Sequence, residues 1–104
     1  MPSRLETLRA MVAQQPEDVF ANYALAMELK GLGQHAEAWQ VFESLLKKQP
    51  GYIAAYAPAA DTLLALGRTD DARGLYSKGI EECTRQGQTH PRAQLETALK
   101  FLNR

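Results

Sequence analysis

The chain has 104 residues, enough for one domain or a short array of repeats and too few for two independent cores. Twelve basic and twelve acidic side chains cancel, which argues against a dedicated binder of nucleic acid or of an anionic membrane, since either needs a basic excess. A hydrophobic share of 45% is too apolar for a disordered tail, and the lone Cys83 excludes both an intramolecular disulfide and a zinc site built from several thiolates.

The N-terminal Met1-Pro2-Ser3-Arg4-Leu5-Glu6 has no apolar stretch of signal-peptide length, and no window approaches 18 consecutive apolar residues. These absences predict a soluble, cytoplasmic protein. Charge is slightly uneven: residues 1–46 carry three basic against six acidic groups, and residues 47–104 nine against six.

Punctuation is regular. Pro16, Gly33, Pro50-Gly51, Gly67 and Gly87 bound segments of helix rather than strand length, and alanine is abundant where β-branched residues are sparse. The pattern predicts six helices. The first runs from about Ser3 to Gln14, with Ser3 and Glu6 as a capping box and Leu5, Leu8 and Val12 as its apolar stripe. The second spans about Val19–Lys30 behind Asp18 as N-cap, and the third about Gln34–Lys48, closed by Lys47 and Lys48. The fourth lies between Ile53 and Leu66. Pro58 sits inside that range, so the helix either begins late, near Ala57, or kinks. The fifth spans about Asp70–Arg85 with Thr69 as N-cap, and the sixth about Pro91–Asn103 with proline in the first helical position. The predicted core is Leu8, Val12, Leu25, Leu29, Phe42, Leu45, Leu46, Leu63, Leu66, Tyr76 and Ile80, joined by Leu95, Leu99 and Leu102.

A shift of 34 residues lays Val19–Tyr52 over Ile53–Gln86. Identities fall at Ala21/Ala55, Ala26/Ala60, Leu29/Leu63, Leu32/Leu66, Gly33/Gly67 and Ala38/Ala72. These are small residues and an inter-helix glycine, which suit sites where two helices approach closely. Asn22-x2-Leu25-Ala26-x2-Leu29 leads to Ala38-x3-Phe42 and Pro50; Tyr56-x2-Ala59-Ala60-x2-Leu63 leads to Ala72-x3-Tyr76, with Thr84 in the proline place. The pattern resembles the tetratricopeptide repeat family, W-x2-L-G-x2-Y, A-x3-F, P over 34 residues of helix–turn–helix. Asn22 stands in the tryptophan place, and Leu45 and Gly79 where alanine is usual.

The resemblance implies an all-α fold, a right-handed α-α superhelix. It would be one domain over residues 3–103: a half-repeat (3–16), two repeats (19–52 and 53–86) and a capping helix (91–103). It implies a small stand-alone member of bacterial type. A helix pair cannot bury its stripe alone, so pairs stack and share a core, and the first and sixth helices supply the missing faces.

No catalytic constellation stands out. Cys83 and His90 could form a nucleophile pair, but the simpler reading is a surface thiol and a histidine before Pro91. His35 packs or caps rather than ligates. Asp70-Asp71 and Glu81-Glu82 are adjacent pairs that point in different directions on a helix, and Gly31-Leu32-Gly33 is a turn rather than a phosphate cradle. The expectation is a non-enzyme with no cofactor and no metal.

In the family, the first helix of each pair lines a concave groove that holds a partner. Carried over by position, that groove receives Phe20, Tyr23, Met27 and Lys30 from one repeat and Ala54, Ala57, Asp61 and Leu64 from the next, with Gly51 and Tyr52 at its rim. Phe20, Tyr23 and Met27 form a second apolar face on a helix that already carries Leu25 and Leu29. The places where some members clamp a C-terminal carboxylate hold Tyr23, Met27, Ala54 and Pro58, so that clamp is absent. The leading expectation is an adaptor for a peptide, helix or partner subunit. The alternatives are a homodimer through Phe20, Tyr23, Met27 or Phe101, an enzyme using Cys83 and His90, and an RNA-binding helical-repeat relative. The 34-residue period and zero net charge count against the last.

Overall fold

The computed structural model describes residues 2–104. Among them are six α-helices, one short 3-10 turn and no strand: α1 (Arg4–Gln14), α2 (Val19–Gly31), α3 (His35–Lys48), the 3-10 turn Ile53–Ala55, α4 (Tyr56–Ala65), α5 (Thr69–Gln86) and α6 (Thr89–Leu102). Each helix packs chiefly on its neighbours in sequence, so the array is elongated, 45 × 29 × 19 Å.

Local signals place the helix ends. Ser3 Oγ accepts the Glu6 N–H at 3.1 Å, and Asp18 accepts those of Phe20 and Ala21 at 2.9 and 3.3 Å. The reciprocal half of the Ser3 capping box is not formed; the Glu6 carboxylate lies 3.4 Å from Ser3 Oγ instead. Hairpin turns close through left-handed Gly33 and Gly67, at φ 77° and 76°. The residue after each glycine donates back five positions, Gln34 N–H to Leu29 O and Arg68 N–H to Leu63 O, both at 2.9 Å. Gly87 repeats the device after α5.

Where the third helix meets Pro50 it stops; where the fifth meets Thr84 it continues. Threonine keeps its N–H and its hydroxyl donates to Ile80 O, so α5 has 18 residues against 14 in α3.

The small residues shared by the repeats are the contact points. Ala26, Ala38, Ala60 and Ala72 are all fully buried. Leu8, Leu25, Leu29, Phe42, Leu45, Leu46, Leu63, Tyr76 and Leu95 are core as expected. Val12, Leu99 and Leu102 are only half-buried, because α1 and α6 are end helices covered on one side, and Ile80 on α5 is half-buried as well. Leu66 is a correction: it is exposed, like its mate Leu32, since both sit in the turn after a helix rather than on its inner stripe.

Two helix starts also differ from expectation. Thr69 is the first residue of α5, not its cap; Arg68 holds the cap position, and its side chain accepts no backbone N–H there. Helix α6 begins at Thr89, which puts Pro91 third. That place is still within the first turn, where a missing N–H forfeits no intrahelical bond. Pro58 follows the same rule. A 3-10 turn precedes α4, so the helix begins at Tyr56 and Pro58 lies in its first turn.

The two departures from the family pattern compensate each other. Tyr56, in the tryptophan place, is fully buried and donates its hydroxyl to Pro50 O at 2.5 Å. Its ring fits because the facing residue on α5 is Gly79: a Cβ there would stand 2.9 Å from both Tyr56 Cβ and Leu95 Cδ1. One repeat earlier the sizes are exchanged. Asn22 replaces the ring and donates to Pro16 O at 2.9 Å, while Leu45 fills the space opposite. The exchange leaves only a cleft of about 40 Å³ beside Asn22.

Candidate functional site

Three helices, α2, α4 and α6, each supply residues to one face. Along α2, Phe20, Tyr23, Met27 and Lys30 recur at helical spacing, and along the next repeat Ala54, Ala57, Asp61 and Leu64 do the same. Phe20 is 76% exposed and Met27 is 37% exposed. Tyr23, Ala57 and Leu64 are half-buried and rest on the core.

The structure brings an aromatic trio together. The Tyr52 ring meets Phe20 edge-on at a centroid distance of 6.3 Å and Tyr23 at 5.4 Å. Tyr52 is delivered by the tight turn after Pro50-Gly51, which the 3-10 turn then continues. Burial raises the Tyr52 phenol above its ordinary pKa, and the neighbouring Tyr23 adds to the effect. Beside the trio, Ala54 and Ala57 form the floor of a cavity of about 290 Å³, whose other walls are Ile53, Pro91, Gln94 and Leu95. The α6 wall was not legible in the repeat alignment, which ends at Gln86. The signal for it was Pro91, in the first turn of α6, which follows a glycine turn as α4 does.

Other expected residues lie farther along the same stripes. Lys30 is half-buried near the end of α2. Asp61 is exposed, yet its Oδ1 accepts the Tyr76 hydroxyl at 2.5 Å, so one of its oxygens is engaged within the fold. Burial and that bond hold the Tyr76 phenol well above its usual pKa.

Outside this face the chemistry is sparse. Cys83 is fully buried, which corrects the expectation of a surface thiol. Helix α5 is still helical at residue 83, where the earlier repeat has ended its helix, and it packs against α6. Burial pushes its thiol pKa up, the opposite of what a nucleophile requires. His90 is exposed, and His35 is half-buried with Nδ1 unpartnered. Among the described residues no group of acidic, histidine and cysteine side chains could hold a metal, and no helix is long and apolar enough to cross a membrane.

A tetratricopeptide repeat family model matches residues 29–82, from the end of α2 through most of α5. The chain belongs to the tetratricopeptide repeat family. A tetratricopeptide repeat domain protein from Salinibacter ruber, solved by NMR, is 33% identical over 85% of this chain and 89% of that one, with a TM-score of 0.79. The fold is also that of a Bordetella parapertussis protein, at 23% identity, TM-score 0.86 and coverage of 99% and 90%. The TPR2B domain of yeast Sti1, solved as a complex with pHsp70, is 16% identical with a TM-score of 0.87 over 95% of this chain and 79% of that one. No curated protein matches the sequence. Tetratricopeptide repeats are in general modules of protein–protein interaction and non-catalytic scaffolds.

Proposed function

We propose that this tetratricopeptide repeat domain is a non-catalytic adaptor, which holds a segment of another protein in the groove formed by α2, the Tyr52–Ala57 segment and the start of α6. The working unit is one domain over residues 3–103. The observation that carries the reading is the exposure of Phe20 at 76% beside Tyr23, Tyr52 and an open apolar cavity. Large rings left in water next to a concave apolar surface are the composition of an interface centre rather than of a solvated face. The fold of yeast Sti1 TPR2B, solved with pHsp70, is consistent with capture of a polypeptide. The absence of basic clamp residues at Tyr23, Met27, Ala54 and Pro58 separates this groove from those that grip an acidic tail.

The test is a pull-down from native lysate with the wild-type domain and with Tyr23→Glu, whose melting temperature should match wild type within a few degrees. A band lost only in the variant supports the reading. A band retained in full overturns it. A domain whose mass rises with concentration in light scattering, and falls again on Tyr23→Glu, replaces the adaptor by a self-associating structural protein.

A further inference from the structure

The two ends of the array are complementary halves. In each complete hairpin the first and second helices cover one another: Gly79 faces Tyr56, Leu45 lies opposite Asn22, and Ala26, Ala38, Ala60 and Ala72 are fully buried. Helix α1 is of the second kind. Leu8 stands in the place of Phe42, Met11 in that of Leu45 and Pro16 in that of Pro50. Among the described residues no first helix of its own hairpin lies against it, so Met11 is 47% exposed where Leu45 is buried. Met11 lines an open cavity of about 120 Å³ with Gln14, Gln15, Asp18 and Ala21.

Helix α6 is of the first kind. Pro91 stands to Ala54 and Ala57 as Tyr52 stands to Phe20 and Tyr23, which puts Leu95 in the place of Tyr56, Leu99 in that of Ala60 and Lys100 in that of Asp61. In the preceding hairpin those places are covered by α5: Ala60 is fully buried and Asp61 accepts the Tyr76 hydroxyl. Around α6 they are open. Ile80, Glu96, Leu99, Lys100 and Asn103 line a cavity of about 480 Å³ where a second helix would lie.

We propose that copies of this domain join head to tail, with α1 of one copy seated in the α5–α6 cleft of the next, so that the two unpaired helices complete a hairpin. One contact covers both cavities, since α6 takes the place open beside Met11 as α1 takes the place open beside Leu99. Charge favours this order of ends. Residues 89–104 carry three basic groups to one acidic, and residues 2–18 carry three acidic to two basic. Lys100 and Arg104 are in no ion pair among the described residues, and Glu28, on the side of α2 next to α1, is met by Arg4 at 3.5 Å. The contact joins two different surfaces, so it does not close on a pair but extends into an open row. It is weaker than a hairpin within the chain. Arg4 and Leu99 hold places where the hairpins carry alanine, and they keep the two helix axes farther apart. Both surfaces lie outside the groove of Phe20, Tyr23 and Tyr52, so the inference stands apart from the adaptor reading.

Sedimentation and light scattering of the 104-residue chain, diluted from millimolar concentration, test this. The mass should rise past that of a dimer as concentration rises. Met11→Glu blocks the α1 surface and Leu99→Glu the α6 surface. Each variant alone should stay monomeric, and an equal mixture should form pairs that grow no further, because each still offers the surface the other has lost. Lys100→Glu, an exposed change on the same α6 wall, should weaken association about threefold with an unchanged melting temperature, which keeps the test sound where Leu99→Glu unfolds. Tyr23→Glu should leave association as it is. A wild-type chain that stays monomeric at millimolar concentration overturns the proposal. So does association that stops at a dimer and is lost in only one of the two end variants, the mark of a symmetric pair, and so does association that Tyr23→Glu abolishes.

Discussion

Helix α5 contains two interior glycines that should respond in opposite ways to the same added methyl group. Gly74 faces open space, with no atom within 4 Å of where a Cβ would stand. Gly79 faces Tyr56 Cβ and Leu95 Cδ1 at 2.9 Å and Tyr56 Cγ at 3.0 Å. Both substitutions to alanine gain helix propensity, about 0.8–1 kcal/mol in a helix interior. At Gly74 that gain stands alone. At Gly79 it is set against overpacking, typically about 1–3 kcal/mol. Leu95 Cδ1 is the end of a flexible side chain and can move aside. Tyr56 Cβ and Cγ are anchored to α4, so the α4–α5 pair must part by a few tenths of an ångström. The two variants should therefore differ by about 2 kcal/mol. For a domain of this size 1 kcal/mol moves the melting temperature by about 4–8 °C, so the gap should be about 10 °C or more. Thermal and urea unfolding followed by circular dichroism measure it. Equal stability of Gly74→Ala and Gly79→Ala would refute the claim that the tyrosine ring sets the spacing of this pair. A stronger form uses the other repeat as a template: Gly79→Leu alone should be severely destabilised, and adding Tyr56→Asn should recover part of the loss.

Further outcomes follow from buried groups. Burial pushes the Tyr56 phenol up to about 12, and Tyr76 is also raised, so the folded state keeps both phenols neutral past the pH at which an unfolded chain ionises them. Stability from this source is complete below about pH 10 and is lost as pH rises through the folded values. The melting temperature should fall between about pH 10 and 12, less steeply in Tyr56→Phe or Tyr76→Phe when each is compared with its own value at neutral pH; a flat wild-type profile over that range contradicts the linkage. Cys83, fully buried with its thiol pKa raised, should react with an alkylating reagent only as fast as the fold opens. Modification at the rate of a free thiol in the native domain would show that the α5–α6 contact is not closed as described.

Much of the fold was readable from residue order because the relevant signals are local. Asp18 as a cap and Gly33 and Gly67 as left-handed turns act within one turn of the chain. The repeat shift exposed Ala26, Ala38, Ala60 and Ala72 as close contacts, since only small side chains permit them. What failed was burial at places where depth depends on distant partners. Leu66 was expected in the core, yet it and Leu32 sit in the turn after a helix, where the inner stripe has ended. Cys83 matches Gln49, where the earlier repeat has already left its helix, whereas α5 is still helical there and packs against α6. The groove stripe came with the family resemblance, carried over by position onto the first helix of each repeat. Its α6 wall did not, because Pro91, Gln94 and Leu95 lie outside the aligned repeats and reach Ala54 and Ala57 only in three dimensions.

The exchanged sizes at Asn22/Leu45 and Tyr56/Gly79 make each hairpin a matched set rather than a copy of a common part. A chimera cut between hairpins keeps every filling intact and should tolerate shuffling. Recombination inside a hairpin would join asparagine to glycine and leave a hole, or tyrosine to leucine and force the helices apart. The permitted crossover points along this gene are therefore written in the volumes of four side chains.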